Sequence, residues 1–249
     1  MDNREIKGYA RDMGADIVGI ADLALLDGLP VAPVDLVKNY KRAVSIAVRL
    51  ADGVIDPIEN GPTPLYQQHY LKVNALLDDI ALRVSQFIQD HKAAALPIPA
   101  SQVLDRQEWT SYISHKAVAL AAGIGWQGKS LLVVSPEYGP RIRLVTILTD
   151  MPLRPDKPVR NRCGKCTSCA EACPVQAIKD VNTKWHYSDR DEALFFEKCV
   201  ERVTRNAVEI PFVESPICGV CIRACPWGAR KKGRRSNSNH EDNLAWKSK

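Results

Sequence analysis

The first 162 residues of this 249-residue chain contain no cysteine; all eight cysteines fall between positions 163 and 225. No disulfide framework is expected from such a chain in a reducing cytoplasm. No window approaches the roughly 18 apolar residues of a membrane span. The opening stretch, MDNREIKGYARDMGADIVGI, lacks the unbroken apolar core of a secretory signal. The expectation is a cytoplasmic protein with no membrane contact. An excess of charge is also missing from most of the chain. Residues 230–249 hold seven Lys/Arg and two Asp/Glu, while the other 229 residues carry 27 of each sign. Any affinity for a polyanion therefore rests on the basic segment 230–249, which reads as a solvated, disordered tail. The five histidines (69, 91, 115, 186 and 240) show no paired metal-ligand spacing.

What is present is a cysteine pattern. Cys163, Cys166, Cys169 and Cys173, followed by Pro174, form C-x2-C-x2-C-x3-C-P, the run of bacterial ferredoxins. Cys199 then precedes Cys218-x2-Cys221-x3-Cys225-Pro226. A cubane cluster needs four thiolates, and in two-cluster proteins the cysteine before proline serves the other cluster. That rule assigns Cys163, Cys166, Cys169 and Cys225 to one [4Fe–4S] cluster, and Cys173, Cys199, Cys218 and Cys221 to the second. Cys199 stands far ahead of its partners, so a helix-containing insertion is expected there. A pair of zinc sites is the alternative, but zinc spacing explains neither the third x2 cysteine nor two C-P endings.

The rest of the chain reads as alternating helices and strands. A helix over residues 2–13, capped by Asp2 or Asn3, ends at Gly14. Strands follow over 16–21 and 43–48, and a Pro/Gly-rich loop over 58–67. A long helix is expected over 68–92, with Val73, Leu76, Ile80, Val84 and Phe87 on one face. Pro97 and Pro99 break the chain after it. A helix over 114–122, strands over 131–135 and 142–149, and a proline-bearing linker over 151–162 complete the pattern. The expected class is α+β: an α/β domain over 1–155, a ferredoxin-like two-cluster domain over 156–229, and the tail.

The segment Gly123-Ile124-Gly125-Trp126-Gln127-Gly128-Lys129-Ser130 spells a phosphate-binding loop letter for letter. That function needs a strand before the loop and a helix after it. Here the order is reversed, and Gly123 reads as the cap of the preceding helix.

Together with Ser114-His115-Lys116-Ala117, Tyr138-Gly139-Pro140-Arg141, Leu148-Thr149-Asp150-Met151-Pro152-Leu153 and Cys225-Pro226-Trp227, this segment resembles the epoxyqueuosine reductase family. The resemblance spans most of residues 1–228. It implies a nitroreductase-like, corrinoid-binding α/β sandwich of the kind shared with reductive dehalogenases, followed by the double [4Fe–4S] module. The module would pass electrons to cobalamin, and reduced cobalt would act on the substrate. The resemblance further implies that Gly125, Trp126, Gly128, Lys129 and His115 line the corrinoid pocket. As plain structure the same residues read as a capping glycine, a core tryptophan, a surface lysine and a buried histidine. A low-potential donor such as ferredoxin or flavodoxin, and transfer RNA as substrate, are the implied partners. Two departures stand out. The family's V-D-T-G-P aspartate, taken as the proton donor, has no counterpart in residues 96–102, and Asp105 and Glu108 are only nearby. The family's C-terminal repeat region is replaced by the basic segment. An electron-transfer or reductive-activation protein that docks on a partner is the competing reading, and a flavin in the first domain is a third.

Overall fold

The computed structural model describes residues 2–229; the basic segment expected to be a disordered tail lies outside them. Helix α1 (Asn3–Asp12) is opened by Asp2, whose carboxylate accepts from the backbone of Arg4 and Glu5 while Glu5 reaches back. This is a capping box satisfying two orphan N–H groups. Strand β1 (Ile17–Asp22) leads through a short 3-10 turn (Leu23–Leu26) to β2 (Arg42–Arg49). The single-turn α2 (Asp52–Ile55) precedes the long helix α3 (Pro64–Asp90). It starts four residues before the expected 68, because Thr63 caps it and Pro64 occupies its first turn. Its core face carries Val73, Leu77, Ile80, Val84 and Ile88, whereas Leu76 is 38% exposed. Phe87 instead stacks on Tyr9 of α1 at 4.3 Å between ring centroids.

Strand β3 (Ala95–Ile98) occupies the stretch where prolines suggested a simple break. It pairs with β6 alone, at the sheet edge, where a proline removes no ladder bond. Helix α4 (His115–Ala121) is capped by Ser114. The short strands β4 (Trp126–Gln127) and β5 (Val133–Val134) form a separate ribbon before β6 (Ile142–Thr149). The main sheet runs β1-β2-β6-β3 and is antiparallel throughout. Val18, Ile20, Val44, Ile46, Val145 and Ile147 pack with α1 and α3 on one side. Ala21, Ala43, Ala47, Leu144 and Leu148 meet α4 on the other. The alternation is what an antiparallel sheet buried on both faces requires. Gly19 of β1 lies under the end of α4, where a Cβ would collide with the Ala122 carbonyl.

Residues 151–162 form no regular element but are far from loose. Met151 and Leu153 are buried, and Arg42 Nε donates to the Leu153 carbonyl at 2.9 Å. Asn3 is bonded both ways to the Arg154 backbone. The Asp156 carboxylate accepts from Ile20 N–H at 2.7 Å and from Lys7 Nζ at 2.6 Å. The C-terminal part consists of four helices: α5 (Ser168–Glu171), α6 (Arg190–Ala193), α7 (Phe196–Glu209) and α8 (Val220–Ala224). Among the described residues no helix is long and apolar enough to cross a membrane.

Candidate iron–sulfur centre

The cysteine loop is built on tight turns. Asn161 Oδ1 accepts from Cys163 N–H at 2.8 Å, and its amide donates to the carbonyls of Gln127 and Thr183. Gly164, at φ 55°, lets Cys166 N–H fold back onto the Cys163 carbonyl. Cys169 sits on α5, and Cys173 follows it in a turn where Ala177 N–H donates to its sulfur at 3.3 Å. Cys199 rides on α7, whose remaining turns supply the helix expected between it and Cys218. Cys218 precedes Gly219, at φ 88°, and α8 carries Cys221 on to Cys225.

All eight are free, partly buried thiols. Burial pushes the Cys169 thiol up to about 11, reinforced by Cys225, Cys163 and Cys166. Burial likewise carries Cys199 to about 11, reinforced by Cys218 and Cys173. Cys225 is raised by burial and by Cys163 and Cys166. Cys221 is driven far above its ordinary value by burial, then by Cys218 and Cys199. The thiols thus fall into two electrostatic neighbourhoods, one around Cys163, Cys166, Cys169 and Cys225, the other around Cys173, Cys199, Cys218 and Cys221. Cys221 also feels Cys169, so the two lie side by side. Four crowded thiols that oppose each other's ionisation fit a polynuclear cation that would hold them all as thiolates. Among the described residues no three His, Cys, Asp or Glu side chains converge closely enough to hold a single metal ion.

The glycine-rich segment is not a phosphate cradle. Gly123, at φ 70°, closes α4: its N–H bonds to the Leu120 carbonyl and Ile124 N–H to that of Ala119. This is a Schellman cap, as expected for that glycine. Strand β4 follows, with no helix to present its N-terminus to an anion.

The residues nominated for a corrinoid pocket have defined partners in the fold. Lys129 is 4% exposed; its Nζ bonds the Cys166 carbonyl at 2.9 Å and the Asp180 carboxylate at 2.8 Å. Trp126 is 1% exposed, with Nε1 donating to Cys163 Sγ at 3.4 Å. A Cβ on Gly125 would strike the Val134 carbonyl, and one on Gly128 would press on the Val134 side chain. Trp126 and Lys129 therefore tie the ribbon to the cysteine domain, while Gly125 and Gly128 let β4 lie close against Val134 of β5. His115 uses both ring nitrogens, one with Thr146 Oγ1 at 2.8 Å and the other with the Pro99 carbonyl at 2.9 Å. Burial lowers its pKa. A cavity of about 590 Å³ lies elsewhere, beside the 3-10 turn, lined by Leu23, Leu26, Val31, Val37, Tyr40 and Ile113 among others.

Lys116, next to His115 in the Ser-His-Lys motif, has a placement that the motif does not foretell. Among the described residues no carboxylate pairs with it. Burial lowers its pKa, Cys199 and Cys221 oppose that, and Arg143 and Arg190 deepen it. Arg143 in turn bonds Asn74 at 3.0 Å and lies 4.5 Å over the Tyr70 ring. Lys116 thus lies within electrostatic reach of the second cysteine neighbourhood. In place of the absent aspartate, residues 99–101 are fixed by Asp78 on Ala100 N–H and by Tyr70 on Ser101. Asp105 is held below the usual carboxylate range by Glu108 and Gln107 N–H groups, which suits an anion and not a proton donor.

Residues 162–228 match the family model of a 4Fe-4S double cluster binding domain. An epoxyqueuosine reductase from a Synechocystis species is 33% identical over 126 residues, covering 49% of this chain and 42% of that protein. The matches span less than half the length of such curated relatives, and as little as 18% for one from Bacillus cereus. Among solved structures, a reductive dehalogenase described in connection with B12-dependent dehalogenation superposes with a TM-score of 0.68. It is 20% identical and covers 91% of this chain and 31% of its own. An epoxyqueuosine reductase solved with an epoxyqueuosine-modified tRNA stem loop gives 0.59 at 21% identity, covering 90% of this chain and 64% of its own. The chain thus carries a double-cluster domain behind a sandwich, is similar to epoxyqueuosine reductases over part of its length, and has the fold seen in those enzymes and in reductive dehalogenases.

Proposed function

We propose that the chain is an iron–sulfur oxidoreductase of the epoxyqueuosine reductase type, in which two [4Fe–4S] clusters deliver electrons to a bound corrinoid that reduces a substrate. The carrying observation is the sorting of eight partly buried thiols into two neighbourhoods of four beside a sandwich of about 150 residues. Cys163, Cys166, Cys169 and Cys225 would hold one cluster; Cys173, Cys199, Cys218 and Cys221 would hold the other. Residues 1–155 would form the acceptor domain and 156–229 the cluster domain. When bound, the corrinoid supplies a strongly reducing cobalt centre. Beside the nominated Gly125, Trp126, Gly128, Lys129 and His115, Lys116 is a further side chain that would face it, since Cys199 and Cys221 of the second set of thiols act on it. His115 orients this wall through Thr146 and Pro99. The likeness to a reductase solved with a modified tRNA stem loop supports a tRNA substrate. A low-potential ferredoxin or flavodoxin suits the donor's role.

Anaerobic reconstitution followed by iron, sulfide and cobalt analysis tests the reading. About eight irons per chain and a perturbed cob(II)alamin EPR signal are expected. Zinc, or fewer than about six irons, overturns the cluster assignment. Full iron without corrinoid absorbance overturns the acceptor while leaving the clusters standing.

A further inference from the structure

The indole of Trp126 is the one side chain from residues 2–155 that donates to a cysteine sulfur among the described residues. Its bond to Cys163 Sγ is 3.4 Å long, from an indole that is 1% exposed to a partly buried sulfur. Other sulfurs take their donors from within the cluster domain. Cys173 receives Ala177 N–H, Cys218 receives Asn206 and the Val220 backbone, and Cys225 receives the Trp227 and Gly228 backbone. Trp126 is also held rigidly. Trp227 meets its ring edge-on at 4.8 Å, and β4 is pressed onto β5 at Gly125. The Arg162 guanidinium stands 5.9 Å from both indole rings.

A reduced cubane carries one more negative charge than an oxidised one, spread partly over its sulfurs. An N–H aimed at a ligand sulfur in a dry site stabilises the reduced state more than the oxidised state. We propose that Trp126 is a positioning residue for electron transfer: through its N–H···S bond the N-terminal domain raises the midpoint potential of the cluster bound at Cys163, Cys166, Cys169 and Cys225. The inference rests on the two-cluster reading above. It adds that the potential belongs to the docked pair of domains, and that the cluster domain alone would hold that cluster at a lower value.

The test is an EPR-monitored redox titration of the fully iron-loaded chain and of Trp126→Phe. The expected result is a roughly tenfold rise in the oxidised-to-reduced ratio of one cluster at fixed potential. For a one-electron couple that is a midpoint shift of about 59 mV to the negative. The second cluster should hold its midpoint. Biosynthetic replacement of all five tryptophans by 5-fluorotryptophan nearly keeps ring shape while making each N–H a stronger donor, and Trp126 is the one whose indole donates to a cysteine sulfur among the described residues. The same midpoint should then move to the positive. No movement with either change, or equal movement of both clusters, overturns the role of Trp126. Failure of the two-cluster reading would instead appear as low iron in the unaltered chain.

Discussion

Replacing Lys129 by methionine removes a charge from a nearly sealed site. The side chain is 4% exposed, and its partner Asp180 is 36% exposed. The ammonium ties the glycine-rich ribbon to two points of the cluster domain, the Cys166 carbonyl and the Asp180 carboxylate. Breaking a buried pair typically costs 3–5 kcal/mol. Water reaches Asp180 and screens part of that, so about 2 kcal/mol is the working figure for local separation of ribbon and loop. At 1.4 kcal/mol per decade this is roughly a 30-fold rise in the population of the opened state. The assay is anaerobic loss of visible cluster absorbance to an iron chelator. Lys129→Met should accelerate it about 30-fold, and Asp180→Asn several-fold. The double variant should be less than additive by about 1 kcal/mol. The exposed pair Arg83–Asp79, with 52% and 54% side-chain exposure, is the control, and Arg83→Met should leave the rate unchanged. A rate for Lys129→Met within twofold of the parent, or strict additivity with Asp180→Asn, would refute the reasoning.

Gly19→Ala should lower stability by about 2–3 kcal/mol, since its Cβ meets the Ala122 backbone carbonyl, whereas Gly8→Ala, with open space around it, should gain about 0.5–1 kcal/mol; thermal unfolding followed by circular dichroism compares them. His115 has a folded pKa below its ordinary 6.5. The unfolded chain therefore binds the extra proton first, and stability falls as pH drops below about 6.5. His115→Gln should flatten that slope in urea titrations at pH 5 and pH 7, and an unchanged slope would assign it to other groups. Calorimetry with ATP should show no micromolar binding, because no helix follows the glycine-rich segment and Lys129 is already engaged.

The features legible in the sequence are those written in local chemistry. The two cysteine runs, the Gly123 cap and the strand at 142–149 each follow from neighbours within a few positions. The start of α3 is also local, in Thr63 and Pro64, but the surrounding prolines and glycines read as loop. Strand β3 is hidden because proline argues against a strand unless it lies at an edge, and edge position is a property of the whole sheet. The roles of Trp126 and Lys129 are invisible for a different reason. Their partners, Cys163 and Asp180, lie 37 and 51 residues away, and nothing in a glycine-rich motif says which surface it will meet. Lys116 gives no signal because a lysine in a first helical turn ordinarily faces water; only the folded chain shows it half-buried.

The segment that carries the chain from sheet to cysteines is stitched down along its length, at Leu153, Arg154 and Asp156, onto the sheet and the first helix. A tether of that kind does not act as a hinge. Tunnelling between redox centres falls steeply with separation, so a relay whose halves swung apart would flicker between conducting and silent states. In the relay proposed for this chain the gap would be set once, when the polypeptide closes on itself, and the current would be governed by chemical driving force instead of by the luck of a thermal encounter.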